Sequence, residues 1–447
     1  MPRNPTLKRA LVSRHIQFIA LGGIIGSSYF LGTGYLLNEI GPAILVAFII
    51  GGLISYLTVS CLAELILNRP KLSFFQAAGR YISPSWACSV GWSYLFNWII
   101  YIPSECIAAG ILFNHFFPSV SVTFASFIFC LIITYICLSQ VNLFGEAEFW
   151  FSLIKMLLML VFSLFALAIF SGMTSAQPSC IKTEYLLNNG GFFAGGLSIF
   201  FSNMILLLSN YQGSEIIGLT AAEAKKPEKE LPASLNKMAL RILGFYLIPT
   251  TLLVLIFPWQ NSSLFGSVFA SALEMYGFSM LGSIFNFLII VGALSCANSG
   301  LYAAIRSLHS LSSQKLASSL FLKVNSQGIP KNAALFVIIG IWVVLLTSFL
   351  FPSHHTYALL LTTSSFTGTI CWISICLSAY IARKYDPAPR GKWVYKSPLF
   401  PVVPLLSIFL QVGSLFLLPF NNSLKPAFYL GVPLILFPYL LHKLYKN

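Results

Sequence analysis

The chain has 447 residues, 57% of them apolar and 9% charged, with a mean hydropathy of +0.83. That composition excludes a water-soluble globular protein and leaves room for about twelve membrane spans of ~20 residues. The net charge of +14 fits membrane topology and contact with anionic inner-leaflet lipid, and argues against a nucleic-acid partner.

Helical spans are predicted over 16–37, 42–67, 85–116, 122–141, 146–171, 192–222, 234–258, 278–311, 333–351, 356–383, 399–418 and 426–441. The basic N-terminus and the apolar run after it read as a retained first span, because glycines interrupt the run and no small-residue cleavage site follows. Within that span, Gly26-Ser27-Ser28 breaks the apolar pattern. Gly41-Pro42 opens the second span, and Gly51-Gly52 permit close backbone approach. Residues 73–82 suit a short helix lying along the inner surface. The third span carries Glu105 and the fifth Lys155, both costly inside hydrocarbon.

The sixth span is interrupted by S-N-Y-Q-G-S-E from Ser209 to Glu215 and leaves through a charged, Pro-punctuated loop. A helix-like outer segment is expected over 261–276. The eighth span contains S-C-A-N-S-G, small and polar enough to face protein, and the tenth contains T-T-S-S. With both chain ends in the cytoplasm, all 26 Lys and Arg except Lys155, Lys182 and Lys425 fall in inner regions. This positive-inside bias supports twelve spans in a cytoplasmic membrane, with cytoplasmic N- and C-termini. The nine Cys residues have no metal-ligand spacing and read as packing residues, not disulfides.

Inside a bilayer, broken helix is tolerated only where protein or a watery cavity surrounds it. Two breaks at corresponding positions of two halves point to a transporter's substrate site. The expected architecture is an all-α polytopic membrane protein, a single transporter domain over 1–447. A five-plus-five inverted repeat, about 14–171 and 192–384, has broken helices 1 and 6, and two peripheral helices lie at about 397–447.

The chain resembles the amino acid–polyamine–organocation (APC) superfamily, and within it the amino acid permeases. The resemblance rests on R-H-I-Q-F-I-A-L-G-G at Arg14, F-G-E-A-E-F-W-F-S-L-I-K at Phe144, and Q-G-S-E-I-I-G-L-T-A-A-E-A at Gln212. P-E-K-E-L-P-A-S at Pro227 and C-A-N-S-G-L-Y-A-A-I-R at Cys296 add to it. It implies secondary active transport of amino acids, proton-coupled and working by alternating access. An exchanger without proton coupling, or a non-transporting nutrient receptor, remains as an alternative. Two positions depart from the family pattern. Ser28 replaces a usual glycine, and Ser209 stands where an aromatic residue is common.

An amino acid offers a carboxylate and an ammonium. Free N–H groups at a half-helix start suit the carboxylate, which assigns Gly26, Ser27 and Ser28 to it. The resemblance assigns the ammonium to carbonyls at Ile24, Ser209 and Gln212, with Tyr211 and Gly213 beside them. Glu215 can take a proton, gate the inner path or face a cationic substrate; helix capping is the plainer role. Lys155 either snorkels to an interface or, by resemblance, couples a proton to the cycle. Glu105 is a further coupling or gating candidate. Tyr94, Asn97, Asn298, Ser364 and Ser365 are lesser pocket candidates. No cofactor or metal site is expected, and no enzymatic set, since the six His lie near span ends or in loops and Asp386 is the single Asp. The expected partners are an amino acid, protons and membrane lipid.

Overall fold

The structure is a computed structural model, which describes residues 25–69, 72–138, 142–173, 191–216, 243–262, 266–325, 329–351, 353–386 and 393–446. Among these, all regular elements are helical. The first broken segment gives α1 (Ser27–Phe30) and α2 (Gly32–Ile40), followed by α3 (Ile44–Asn68), α4 (Phe74–Tyr81) and α5 (Pro84–Phe116). Then come α6 (Val122–Leu138), α7 (Asn142–Phe170), α8 (Gly196–Leu208), α9 (Ile248–Ile256) and α10 (Val268–Met275). The long helices α11 (Ser279–Ser313), α12 (Lys331–Ser348), α13 (Ser353–Tyr385), α14 (Val402–Leu417) and α15 (Lys425–Lys446) complete the described chain.

Eight helical stretches among the described residues are long and apolar enough to cross a membrane, the first covering Ser27–Asn68 with interruptions at Leu31 and Gly41–Ala43. Three shorter apolar helices accompany them, Val122–Ile136, Gly196–Leu208 and Gly244–Ile256. The expected starts of the first and seventh spans, at 16 and 234, lie outside the described residues. Where they fall on described residues, the expected boundaries agree with these helices to within about five residues, except around the sixth span. There the helix stops at Leu208 and turns follow. Ile24 and the half-span before it lie outside the described residues, as does the charged loop after Ile216.

The centre of the bundle is α5. Ser83 caps it by accepting from the Trp86 amide at 3.1 Å, and Pro84 fills the first turn, where its missing N–H costs nothing. Nearly all of α5 is buried, packed between α11 and α13 with α6 and α15 outside. Close approach depends on small residues: a Cβ at Gly110 would lie 2.8 Å from the Val122 carbonyl oxygen of α6.

Surface chemistry follows helical register. On α7, Leu157, Leu160, Leu164 and Leu167 are about half exposed and form an apolar outer stripe. Lys155, Met159, Phe162, Ala166 and Ile169 repeat at the same three–four spacing on the opposite face and are buried. The short helix α4 has a complete capping box, with Ser73 and Gln76 satisfying each other's backbone N–H groups.

One end of the bundle is tied by ionic and amide contacts. Glu64 on α3 accepts from Arg383 of α13 at 3.2 Å and from the Ser397 amide at 2.7 Å. Asn68 bonds the 393–397 segment twice, donating to the Tyr395 carbonyl and accepting from the Val394 amide. Asp386 accepts from the Tyr81 hydroxyl at 2.6 Å and pairs with Arg80 at 3.0 Å and Arg69 at 3.5 Å.

The Tyr81 hydroxyl bond, with help from Arg69 and Arg80, holds the Asp386 carboxyl below the usual carboxylate range. A depressed carboxyl stabilises the fold above its unfolded value, and that contribution disappears as pH falls through the folded value. Asp386→Asn should therefore lower Tm at pH 7, by on the order of 1–2 °C for a partly exposed pair. The gap to wild type should close below about pH 4. A gap that stays constant with pH in thermal melts would show that the Asp386 charge contributes nothing.

Candidate functional site

At the first break the chain is extended at Gly26, with φ −112° and ψ −166°, before the single turn of α1. Extended backbone leaves amides and carbonyls without helical partners, and side chains from two helices, α5 and α11, meet them. The Ser27 amide donates to Glu105 Oε2 of α5 at 3.1 Å. The Ser27 hydroxyl lies 3.1 Å from the Tyr357 hydroxyl of α13. The Cys296 thiol of α11 donates to the Ile25 carbonyl at 3.2 Å. Behind it, Lys155 Nζ of α7 donates to Ser295 Oγ at 3.3 Å and to Cys296 Sγ at 3.5 Å.

Gly26 has no room for a side chain. A Cβ there would collide with the Tyr101 hydroxyl and lie 2.9 Å from Glu105 Oε1 and 3.2 Å from Cys296 Sγ. Ser28 is fully buried, and its hydroxyl makes no hydrogen bond among the described residues.

The second break follows α8. The Ser209 hydroxyl folds back onto the Leu206 carbonyl at 2.6 Å. Gly213 takes φ +104°, a conformation closed to most side-chain-bearing residues. Its amide donates to Glu215 Oε2 at 2.9 Å, and the Trp372 indole of α13 donates to the same oxygen at 3.0 Å. The Gln212 side chain reaches the Ser365 carbonyl at 2.9 Å and the Thr369 hydroxyl at 3.3 Å. Glu105 and Glu215 are both buried, and each accepts from an amide of one break.

Tyrosines join the two breaks. Tyr29 of α1 donates to the Tyr246 carbonyl at 3.2 Å and lies 3.0 Å from the Thr250 hydroxyl. The Tyr246 hydroxyl donates to the Asn210 carbonyl at 2.8 Å, and the Tyr211 hydroxyl to the Phe48 carbonyl at 2.8 Å. The rings of Tyr29 and Tyr211 lie 4.8 and 5.0 Å from that of Tyr246.

The sequence-based candidates Gly26, Ser27, Glu105 and Lys155 thus meet at one centre, and Ser209, Tyr211, Gln212, Gly213 and Glu215 at a second. The geometry differs from expectation in one respect. The Ser27 amide, expected to be open to a substrate carboxylate, is held by Glu105. Lys155 does not reach toward an interface, because its register places it on the buried stripe of α7. Among the lesser candidates, Asn97 accepts from Ser364 at 2.7 Å. Sequence reasoning passed over Tyr101, Tyr246, Tyr357 and Trp372. Tyr101 was within reach of it, lying one helical turn before Glu105; the others come from distant helices and leave no local signal.

The family profile and the sequence relatives agree on one family. A profile described as "Amino acid permease" matches residues 15–447. A putative histidine permease of Bacillus subtilis (strain 168) is 34% identical over 99% of this chain and 94% of its own length. The lysine-specific permease LysP of Lactococcus lactis subsp. cremoris (strain MG1363) is 33% identical over 99% and 90%. A manganese transporter of Eremococcus coleocola shares the fold, with a TM-score of 0.61 at 13% identity, over 96% of this chain and 92% of that one. The chain therefore belongs to the amino acid permease family: it is an integral membrane protein of amino acid transport and not an enzyme.

Proposed function

We propose that the protein is a secondary active transporter that takes up amino acids with protons, by alternating access. The observation that carries this reading is the pair of buried helix breaks, each with a carboxylate on one of its amides and joined by tyrosine hydroxyls. The substrate binds between them, its carboxylate toward Gly26, Ser27 and Ser28 and its ammonium toward carbonyls of the 209–215 segment. Counting Ser27–Asn68 as two spans and adding the three shorter helices supports twelve crossings. These form two inverted five-helix repeats within one transporter domain, with α14 and α15 peripheral. The distribution of basic residues supports cytoplasmic chain ends, as expected of a protein of the cytoplasmic membrane.

Lys155 supports the coupling role by its surroundings: a buried ammonium contacts Ser295 and Cys296, and Cys296 in turn holds the Ile25 carbonyl. Charged Lys155 holds α7 and α11 against the first break; loss of its proton releases them. A proton gradient drives accumulation only if the two access states differ in proton affinity.

Uptake by purified protein in liposomes tests the reading, using all twenty amino acids with and without an inward proton gradient. Accumulation above equilibrium that needs the gradient is expected. Uptake that needs internal amino acid and ignores the gradient would identify an exchanger; no uptake of any of the twenty would overturn the assignment.

Three variants sharpen this. Gly26→Val should insert normally into the membrane yet lose about 5- to 150-fold in apparent affinity, since overpacking at such a contact costs about 1–3 kcal/mol. Wild-type affinity in that variant would sink the proposed carboxylate site. Ser28→Gly should shift the competition profile across small, aromatic and cationic amino acids, and an unchanged profile would place Ser28 outside the pocket. Lys155→Ala should bind substrate but lose gradient-driven accumulation. Lys155→Arg should fail likewise, because guanidinium keeps its proton; if it still accumulates substrate, the coupling proton sits elsewhere.

A further inference from the structure

We infer that Glu105 is an internal stand-in for the substrate's carboxylate, and that the substrate displaces it from the first break with uptake of one proton. This rests on the proposed binding of an amino acid carboxylate at that break.

The argument begins with geometry. Glu105 Oε2 accepts from the Ser27 amide at 3.1 Å, and Oε1 stands 2.9 Å from where a Gly26 side chain would begin. A side-chain carboxylate thus lies against the backbone that a substrate carboxylate would use. Both cannot hold the Ser27 N–H with good geometry, so binding of one requires withdrawal of the other.

Charge then sets the consequence. Among the described residues, the groups that face Glu105 are Tyr101 on its own helix, Ser27 in the break, Lys155 from α7 and Tyr357 from α13, with Cys296 of α11 beside the same Gly26. Lys155 is the one cation among them, and it balances one carboxylate, not two. The substrate's own ammonium is bound for the second break and does not offset the second carboxylate. Two carboxylates side by side in a buried site do not both stay ionised, and one takes a proton. The substrate carboxylate gains the backbone amide, so the proton falls to Glu105: an O–H bond forms on its side chain, with the proton drawn from water. Protonated Glu105 leaves the amide without carrying an unpaired charge into the bundle. Glu105 is a positioning residue here, since it competes for the site and controls when the break opens.

The test measures proton uptake on binding by the purified full-length protein in detergent, with a pH indicator in weak buffer. The probe is whichever of the twenty amino acids is taken up best, alongside its methyl ester, which has no carboxylate charge. For wild type and the free amino acid, about one proton should be absorbed per molecule bound. Kd should rise about tenfold per pH unit over at least one unit. The methyl ester should bind without proton uptake. Glu105→Gln should bind the free amino acid with no proton uptake and with a Kd flat in pH. Wild-type binding without proton uptake, equal uptake with acid and ester, or uptake that persists in Glu105→Gln would each overturn the inference. If Glu105→Gln does not fold, the wild-type comparison of acid and ester decides alone. Failure of all twenty amino acids to bind would overturn the functional reading instead.

Discussion

The controlling constraint is the cost of a bare peptide group in hydrocarbon. An unsatisfied N–H or C=O there costs several kcal/mol, so a helix can break within a bilayer only if the rest of the protein supplies partners. Most of what surrounds Gly26 and Gly213 follows from that demand. Glu105 and Glu215 accept amides, the Cys296 thiol and the Tyr246 hydroxyl donate to carbonyls, and Gln212 turns its side chain outward to α13. The polar residues of this bundle are costly individually, and the breaks are what they are needed for.

Such partners have to come from outside the broken segment, which decides what a reading of the sequence can reach. The breaks themselves are local: small and polar residues in an apolar run are visible in the chain. Glu105 and Lys155 were visible for the same reason, as charges inside spans. Lys155 was legible further than that, since it shares helical register with Met159, Phe162, Ala166 and Ile169, opposite the leucine stripe. In the fold, that register makes it a buried amine and not a snorkelling one. The occupation of the Ser27 amide by Glu105 was not legible. It depends on the rotation of α5 against α1, between residues 78 positions apart in the chain, and no periodicity encodes it.

The two positions that depart from the family pattern acquire different meanings in the fold. Ser209 spends its hydroxyl on the Leu206 carbonyl within its own turn, so its polarity is absorbed locally. Ser28 does not, and it precedes Tyr29, whose hydroxyl reaches Tyr246 and Thr250. Tyr246 in turn donates to Asn210 in the second break. A rotation of the first break alone would therefore strain the second, because stiff aromatic rings at 4.8–5.0 Å leave little slack. On the proposed cycle, the two breaks move together.

Helix α13 places these contacts in a single mechanical frame. Along its length Tyr357 meets the first break, Ser365 and Thr369 meet Gln212, Trp372 meets Glu215, and Arg383 meets Glu64. Tyr357 and Trp372 are about 22 Å apart along the axis at ~1.5 Å per residue, so one stiff rod spans both breaks. The Arg383–Glu64 pair fixes that rod to α3 at one end, where truncating Arg383 would leave the buried Glu64 carboxylate without its cation, at a cost of up to about 3–5 kcal/mol. A rod anchored this firmly is suited to stay with α3 while the breaks change partners. The groups it presents to them are hydroxyls, a carbonyl and an indole N–H, neutral donors and acceptors that can be exchanged without moving charge. The charges at the breaks, on Glu105, Lys155 and Glu215, come instead from α5, α7 and the second break itself. A proton or a substrate that alters those charges acts on the moving contacts and leaves the frame intact.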